Sequence, residues 1–277
     1  MLVSMPSKRS TGRKTERSAP SRKAPTRKPP PDGRPPKAVL VIDIGGTTIK
    51  FAATGETEVC TVASGPEMTP KDMVRAIKRR TRDWRFEAIA LGYPGLVGRG
   101  GPVAEPGNLG DGWVGFDFGA AFGCPVRVVN DATLQALGSY HGGRMLFLGL
   151  GTGIGSVLIS SYSIVQLELG ELRWKSGNLF DQLGRAALEK VGPKRWRTRV
   201  LEVVPSLQRA FLADYVVIGG GNSKFVDEPL PPNVRIGHNL TAFRGGHRLW
   251  GIAEAEHWTP ESGDAAKAAS VGSWRLL

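Results

Sequence analysis

The chain has 277 residues, enough to bury one large domain or two small ones, and its 40% hydrophobic and 22% charged content is ordinary for a globular protein. No run of eighteen or more apolar residues occurs, so no membrane-spanning helix is expected. Basic and proline residues begin at Pro6, where a secretory signal would have an apolar region, so no such signal is expected. The only cysteines, Cys60 and Cys124, lack metal-site spacing. We therefore expect no zinc site, no disulfide framework and a cytoplasmic location.

The net charge of +12 is concentrated at the N-terminus. Residues 1–37 contain eleven Lys or Arg and two acidic residues, a net charge of +9, which leaves +3 for the remaining 240 residues. A segment rich in Lys, Arg, Ser, Thr and Pro cannot bury enough apolar surface to offset its ordering entropy, so a disordered tail is predicted. This tail is either a solvated extension or an arm that binds a polyanion such as nucleic acid, a membrane surface or polyphosphate.

Beyond the tail, strand patterns alternate with helix patterns. The predicted strands are Ala38–Ile42, Thr48–Ala53, Glu58–Val62, Ala88–Leu91, Val126–Val129, Met145–Leu148, Gly155–Ile159 and Tyr215–Ile218. Amphipathic spacing predicts helices over Thr69–Trp84 and Arg195–Leu212. The first three strands suggest an antiparallel start, and each half begins with an apolar strand that leads into a Gly-Thr turn. We predict an α/β protein of two lobes, residues 38–131 and 132–277, with a cleft between them.

A glycine turn follows the first strand directly. The strand ends in Asp43, which is placed to hold Mg²⁺, through water, and the glycines allow backbone N–H groups to face a phosphate. The candidate phosphate-binding residues of this turn are Gly45, Gly46, Thr47, Thr48 and Lys50. An ordinary hairpin turn is the alternative interpretation.

Two further glycine turns also follow strands. Gly149–Ser156 has alternating glycines that allow close approach to a polyanion, but Ile154 breaks the GxGxxG spacing and no GxxxxGK[ST] occurs, which argues against the Rossmann and P-loop folds. Ile218–Lys224 is the third turn. The candidate phosphate-binding residues here are Gly151, Thr152, Gly153, Gly219, Gly220, Gly221 and Lys224. Three such turns are hard to explain as coincidental hairpins.

Asn130 and Asp131 lie between the first two turns. They end a hydrophobic strand, and a helical stretch follows through Tyr140. Asp131 is therefore either a helix N-cap or a catalytic carboxylate, and its place between two phosphate-type turns favours catalysis.

These motifs together resemble one family. The motifs, in chain order, are Asp43–Thr47, Gly92–Val97, Asn108–Leu109, Asn130–Ala132, Gly149–Gly153 and Ile218–Asn222. Their order resembles that of the ROK sugar kinases, and Met145–Ser156 and Leu183–Lys224 are similar to the polyphosphate glucokinase branch. The resemblance covers Ala38 to Gly251 and implies a two-lobed, actin-like ATPase (ribonuclease H-like) fold.

The resemblance also implies an activity. The expected enzyme is a cytoplasmic hexokinase or glucokinase that transfers a phosphoryl group from polyphosphate or ATP to the 6-hydroxyl of a hexose, with Mg²⁺. Asp131 would be the general base, and Asn108 and Asn130 would bind sugar hydroxyls. The first two turns would hold the donor phosphates. Members of the family commonly form homodimers, and the polyphosphate branch lacks zinc.

One segment departs from the family pattern. The family has a Glu and a His after the second turn, whereas Glu168-Leu-Gly-Glu171 keeps the Glu and replaces the His by Glu171. An ionised carboxylate cannot donate a hydrogen bond, and two carboxylates repel each other. The change leaves open an altered hydroxyl preference, a weakened activity, or a sugar-binding regulatory protein without catalysis. Retention of Asp131 and the turns favours an active enzyme.

The sequence leaves the donor open. A polyphosphate user needs an extended basic groove, which Lys194, Arg195, Arg197, Arg199 and Lys224 would supply. The same residues are equally consistent with a solvated helix face.

Overall fold

The computed structural model describes residues 36–56, 58–227, 229–238, 240–251 and 274–277. Apart from Pro36 and Lys37, the predicted disordered tail lies outside these ranges. The strands are β1 (Val39–Ile44), β2 (Thr48–Ala53), β3 (Cys60–Ala63), β4 (Ala88–Tyr93), β5 (Val97–Gly98), β6 (Gly101–Pro102), β7 (Val126–Asn130), β8 (Arg144–Leu150), β9 (Ile154–Ser160), β10 (Ser163–Leu167), β11 (Arg173–Trp174), β12 (Gly177–Asn178), β13 (Tyr215–Gly219), β14 (Val234–Ile236) and β15 (Arg275–Leu276).

Helices connect and cover these strands. The α-helices are α1 (Pro70–Arg80), α2 (Phe118–Phe122), α3 (Asp131–Ser139), α4 (Leu179–Leu183), α5 (Arg185–Val191), α6 (Pro193–Ala210) and α7 (Thr241–Leu249). Short 3₁₀ helices cover Leu169–Glu171 and Ser223–Phe225. Within the described ranges, no helix has the length and apolarity needed to cross a bilayer.

The first sheet has the strand order β3-β2-β1-β4-β7. Strands β1, β2 and β3 pair antiparallel, as the sequence predicts, while β4 is parallel to both β1 and β7. Every residue of β1 is buried except Asp43, which is only partly covered, because the sheet has helices on both faces. The sheet therefore brings one polar residue, Asp43, to the end of an otherwise apolar strand.

The second sheet repeats this plan, with the order β14-β13-β8-β9-β10-β15. It too begins with an antiparallel hairpin, β8–β9, and β8 is parallel to β13. The predicted likeness of the two halves is confirmed in these hairpins, each of which carries a glycine turn.

Helices α3 and α7 lie between the two sheets. Their apolar side chains share one core with residues of both sheets, such as Val41 and Phe147. The two helices cross in backbone contact, since a carbon added at Gly138 would lie 1.8 Å from the carbonyl oxygen of Thr241. The predicted boundary between two lobes after Asp131 stays a prediction. Helix α7, which comes late in the chain, packs on β1 and β4 of the first sheet as well as on α3.

The outer faces are covered separately. Helices α1 and α2 cover the first sheet, and α4, α5 and α6 cover the second. Helix α1 begins after the N-cap Thr69 and buries Met73, Val74 and Ile77, leaving its basic residues outside.

Candidate active site

Two carboxylates approach each other across β4, at the carboxyl ends of β1 and β7. Asp43 in β1 pairs with Gly92 in β4, and Gly92 pairs with Val129 in β7, two residues before Asp131. A carbon added at Gly92 would lie 3.5 Å from Oδ1 of Asp43 and 3.3 Å from Cα of Asp131. Gly92 thus provides the gap in which both acidic residues approach each other.

The start of α3 fixes Asp131. Asn130, rather than Asp131, is the N-cap, since its Oδ1 accepts a 2.9 Å hydrogen bond from the Ala132 amide. The Asn130 amide group donates to the Gly95 carbonyl at 3.0 Å. These two bonds use one of the two side-chain amide hydrogens of Asn130. Asp131 is the first helical residue, and its carboxylate accepts a 2.8 Å hydrogen bond from the Ala132 amide.

Burial perturbs both carboxylates. It raises the pKa of Asp43 to about 7, helped by the charge of Asp131 and opposed by Lys50, which lies directly across the hairpin. Burial likewise raises the pKa of Asp131 to about 6, and hydrogen bonds from the amides of Ala132 and of Asp131 itself limit the rise. A carboxylate that titrates near neutrality, beside a second one, is typical of functional sites.

The first glycine turn lies beside Asn108. The Gly45 amide donates to the Thr48 carbonyl at 3.1 Å, and Ser64 binds the Gly45 carbonyl through its hydroxyl at 2.6 Å. A carbon added at Gly46 would lie 2.0 Å from Nδ2 of Asn108, so only glycine allows this approach. The structure thus brings the predicted sugar residue Asn108 to the predicted phosphate turn.

The second and third turns pack together and against the start of α3. Asn222 donates through Nδ2 to the Gly151 carbonyl at 2.9 Å and through its amide to the Leu150 carbonyl at 2.9 Å. A carbon added at Gly155 would lie 2.6 Å from Cβ of Ala132, which places the β8–β9 hairpin against the residue that follows Asp131. Lys224 follows on the exposed side of the third turn.

Glu168 and Glu171 flank a short 3₁₀ helix. The Ser156 hydroxyl donates to the Leu167 carbonyl at 2.7 Å and accepts from the Leu169 amide at 3.1 Å, which holds Glu168 beside β9. Both glutamates are exposed at the residue level. Partial desolvation and then the charge of Glu171 raise the pKa of Glu168, so the expected repulsion between the two carboxylates is present.

Phe180 is a site residue that the sequence analysis missed. Its ring lies over the second turn, 3.2 Å from the position of a carbon added at Gly153, and is 47% exposed. The Arg185 amide donates to the Thr152 carbonyl at 3.2 Å, so α4 and α5 brace this turn. An apolar residue two positions after a helix cap gives no signal of such a contact in the sequence.

A model of the ROK family matches residues 39–166. This segment is a ROK family domain. The ROK domain contains Asp43, Gly92, Asn108 and Asp131 together with the first two glycine turns.

About three quarters of the chain is similar to known sugar kinases. It is 26% identical to the polyphosphate glucokinase of Mycobacterium tuberculosis over 245 residues, which are 78% of this chain and 92% of the relative. The structure matches the inorganic polyphosphate/ATP-glucomannokinase of Arthrobacter sp. strain KM with a TM-score of 0.64 and 23% identity, over 76% of this chain and 96% of that one. It matches the ROK hexokinase of Thermus thermophilus with a TM-score of 0.57 and 22% identity, over 76% and 98%.

These matches confirm the predicted fold and resemblance. The chain has the two-lobed, actin-like ATPase fold of the ROK sugar kinases, with the ROK domain followed by the rest of the second sheet and its helices. The likeness to polyphosphate glucokinases extends well beyond the ROK domain, since it spans more than three quarters of the chain.

Proposed function

We propose that the chain is a cytoplasmic sugar kinase that transfers a phosphoryl group from polyphosphate or ATP to the 6-hydroxyl of a hexose, with glucose as the expected acceptor. The observation that carries the proposal is the position of Asp131, half-buried, at the start of α3 and separated from Asp43 only by Gly92. Similarity to the polyphosphate glucokinase of M. tuberculosis supports the choice of reaction.

Asp131 is the general base in this proposal. Its carboxylate accepts the proton of the sugar hydroxyl as that oxygen attacks the terminal phosphorus of the donor and the bond to the leaving phosphate breaks. A pKa of about 6 leaves Asp131 ionised at neutral pH and yet basic enough to take a proton. Its backbone is fixed by α3, so little reorganisation is needed when the sugar binds.

The remaining residues position the two substrates. Asn108 and the free amide hydrogen of Asn130 bind sugar hydroxyls, and Glu168 and Glu171 add acceptors on the opposite lobe. Backbone amides of the three glycine turns, with Thr47, Thr152 and Lys50, hold the donor phosphates. In phosphoryl transfer a protein mainly positions the reactants and stabilises the charge that develops on the phosphate oxygens, and these residues would do both.

Asp43 would hold Mg²⁺, through water. Among the described residues, no three or more His, Cys, Asp or Glu side chains converge as a metal site. A Mg²⁺ ion bound with donor phosphates keeps several waters and needs only one or two carboxylates, so the residues present fit it. When bound, it would neutralise charge that develops on the donor phosphates.

A sugar-binding regulatory role is the second candidate. It is favoured by the two mutually repelling carboxylates Glu168 and Glu171, where relatives are expected to have a Glu and a His. In that case the chain would bind a hexose without phosphorylating it.

Mass spectrometry of the products separates the two candidates. Purified protein with Mg²⁺ is mixed with a panel of hexoses and with either ATP or polyphosphate, and Asp131→Ala serves as the control. We expect a hexose 6-phosphate that is absent with the variant. Hexose binding without product from any donor would reject the kinase and support the regulatory role.

A further inference from the structure

One short segment after residue 37, which includes α1, is strongly basic. Residues 71–85 carry seven Lys or Arg and two Asp, a net charge of +5, whereas all residues after 37 together carry only +3. The seven basic residues are all exposed: Lys71, Arg75, Lys78, Arg79, Arg80, Arg82 and Arg85. The other residues after 37 therefore sum to a net charge of −2, although residues 185–199, which include the start of α6, carry six Lys or Arg and one Glu, a net charge of +5. Residues 71–85 are called the α1 stripe below.

Few of these charges are neutralised. Arg75 pairs with Asp72 at 3.3 Å and Arg82 with Asp83 at 3.0 Å, both on the solvent side, where such pairs contribute little. No ion pair involves the other five basic residues within the described ranges. Lys71, Arg75 and Lys78 have the i, i+4, i+7 spacing that aligns side chains along one helix face.

The α1 stripe begins next to the first glycine turn. Ser64 binds that turn through the Gly45 carbonyl and donates its amide to the Thr47 carbonyl at 3.0 Å. The chain then runs past Gly110, whose amide donates to the Met68 carbonyl at 3.1 Å, and enters α1 at Pro70. Helix α1 thus starts six residues along the chain from Ser64, which contacts the first turn, and the stripe runs along this 11-residue helix, about 16 Å long.

The other end of the stripe lies at the amino ends of β1 and β4. The Glu87 amide donates to the Ala38 carbonyl at 2.9 Å, and the Lys37 amide donates to the Glu87 carboxylate at 3.0 Å. A cavity of about 590 Å³ opens here between Lys78, Arg82 and Arg85. The fold therefore brings the end of the stripe close to Lys37, the last residue of the basic N-terminal segment.

We propose that the α1 stripe is a track for the distal part of a long inorganic polyphosphate chain whose end is in the donor site. The proposal rests on the proposed function and specifies its donor. A linear polyanion fits an exposed row of flexible cations that starts near the first glycine turn and continues along the whole of α1 to Arg85. ATP and tripolyphosphate are too short to follow it.

The aromatic residues of the surface favour polyphosphate over nucleic acid. Trp84 lines the cavity, but its ring packs on Phe51 with centroids 6.0 Å apart, and both Trp84 and Phe86 are packed against the core of the first lobe. Binding of single-stranded nucleic acid relies on free aromatic faces that stack on bases. The stripe offers charge without such faces.

The basic residues of α6 are a weaker candidate for this role. Arg197 forms an ion pair with Asp227 and donates hydrogen bonds to the carbonyl oxygens of Asp227 and Pro229, so it is already engaged in holding these two residues. Lys194, Arg195 and Arg199 remain as a competing set, and the experiment includes them.

Direct binding of fluorescently labelled long-chain polyphosphate tests the track without requiring turnover. The full-length protein is compared with Lys71→Gln/Arg75→Gln/Lys78→Gln, with a charge-matched control at exposed residues elsewhere (Arg99→Gln/Lys190→Gln/Arg209→Gln), and with Lys194→Gln/Arg195→Gln/Arg199→Gln. We expect the first variant to bind at least about tenfold more weakly at low salt. The slope of log affinity against log salt should fall by about 2, at roughly 0.7 per lost phosphate contact. The control should bind like the wild type.

Two binding results would overturn the proposal. One is an equal loss in all three variants, or a loss confined to the α6 set. The other is preferential binding of a single-stranded oligonucleotide that competes with polyphosphate at equal charge, which would make the surface a nucleic-acid site.

Kinetics separate this proposal from the proposed function. The KM for long-chain polyphosphate, divided by the KM for tripolyphosphate, should rise about tenfold in the α1 variant and stay constant in the control. An unchanged ratio would contradict the track even if the kinase is active. If no donor yields sugar phosphate, the proposed function fails while the binding experiment still decides whether the stripe holds polyphosphate.

Discussion

Gly92→Ala adds a single methyl group between the two proposed catalytic carboxylates. The new carbon would lie 2.9 Å from Cδ1 of Leu134, 3.3 Å from Cα of Asp131 and 3.5 Å from Oδ1 of Asp43. The Leu134 side chain can rotate, but the backbone of Asp131 cannot move freely, because Ala132 is wedged against the β8–β9 hairpin. We expect Asp131 to shift by a few tenths of an ångström.

The size of the effect follows from this geometry. Overpacking of this kind costs about 1–3 kcal/mol, and each kcal/mol lowers the Tm of a protein of this size by about 2–4 °C. A misplacement of 1 Å can reduce a rate about 100-fold, so a few tenths of an ångström should reduce kcat about three- to tenfold.

Steady-state kinetics and thermal unfolding of Gly92→Ala are compared with Gly100→Ala, whose added carbon would contact nothing within 4 Å. The account predicts that only Gly92→Ala loses activity. A Gly92→Ala protein with a lowered Tm but a wild-type kcat would refute the placement of the reaction beside Gly92.

Further predictions concern the charged residues. Asp131 acts as an ionised base with a pKa of about 6, and Asp43 has a pKa of about 7, so kcat/KM should fall as the pH drops through 7 to 6. A flat profile of kcat/KM down to pH 5 would contradict the assignment of Asp131 as the general base. Because the pKa of Asp131 is raised in the folded state, the folded wild type loses stability as the pH rises from about 4 to about 6. The free energy of unfolding of Asp131→Asn should therefore equal that of the wild type at pH 4 and exceed it by on the order of 2 kcal/mol at pH 8, as measured by thermal unfolding. Glu171→His should lower the KM for the hexose, because it removes the charge that opposes ionisation of Glu168 and introduces a hydrogen-bond donor. Glu171→Gln is the control. An unchanged KM in both variants would place Glu171 outside the sugar site.

Much of the central scaffold could be predicted because its strands carry unambiguous patterns. Val39–Ile44 is buried on both faces and reads as a continuous apolar run, and Thr48–Ala53 alternates as a strand beside it should. The predicted helix over Thr69–Trp84 is real but ends at Arg80, where Thr81 caps it. Local sequence and tertiary packing agree in these elements.

Helix α7 could not be predicted, because packing overrides its local propensity. Gly245 and Gly246 disfavour a helix, yet a carbon at Gly245 would lie 1.8 Å from the Leu134 carbonyl oxygen, so the crossing with α3 requires glycine there. Strand β15 was missed for a similar reason, since it forms only by pairing with β10, and Trp274 packs between Tyr140 and Tyr162.

Some residues of the candidate site could be predicted from the sequence and others could not. Asp43, Asp131 and the glycine turns could be found because they follow strands in a recognisable order. The use of Asn130 as the helix cap, the gap at Gly92 and the contact of Phe180 with the second turn depend on how separate elements meet. Contacts of this kind between separate elements leave no periodic pattern in the sequence of either element.

The central claim is that Asp131 takes the proton of the attacking hydroxyl, and Asp131→Asn tests it most directly. The measurement pairs kcat for sugar phosphate formation with the Kd of the same hexose, obtained by calorimetry. The account predicts a fall in kcat of about 10²- to 10⁴-fold with little change in Kd. A fall of less than tenfold, or a loss of activity explained entirely by weaker hexose binding, would contradict it.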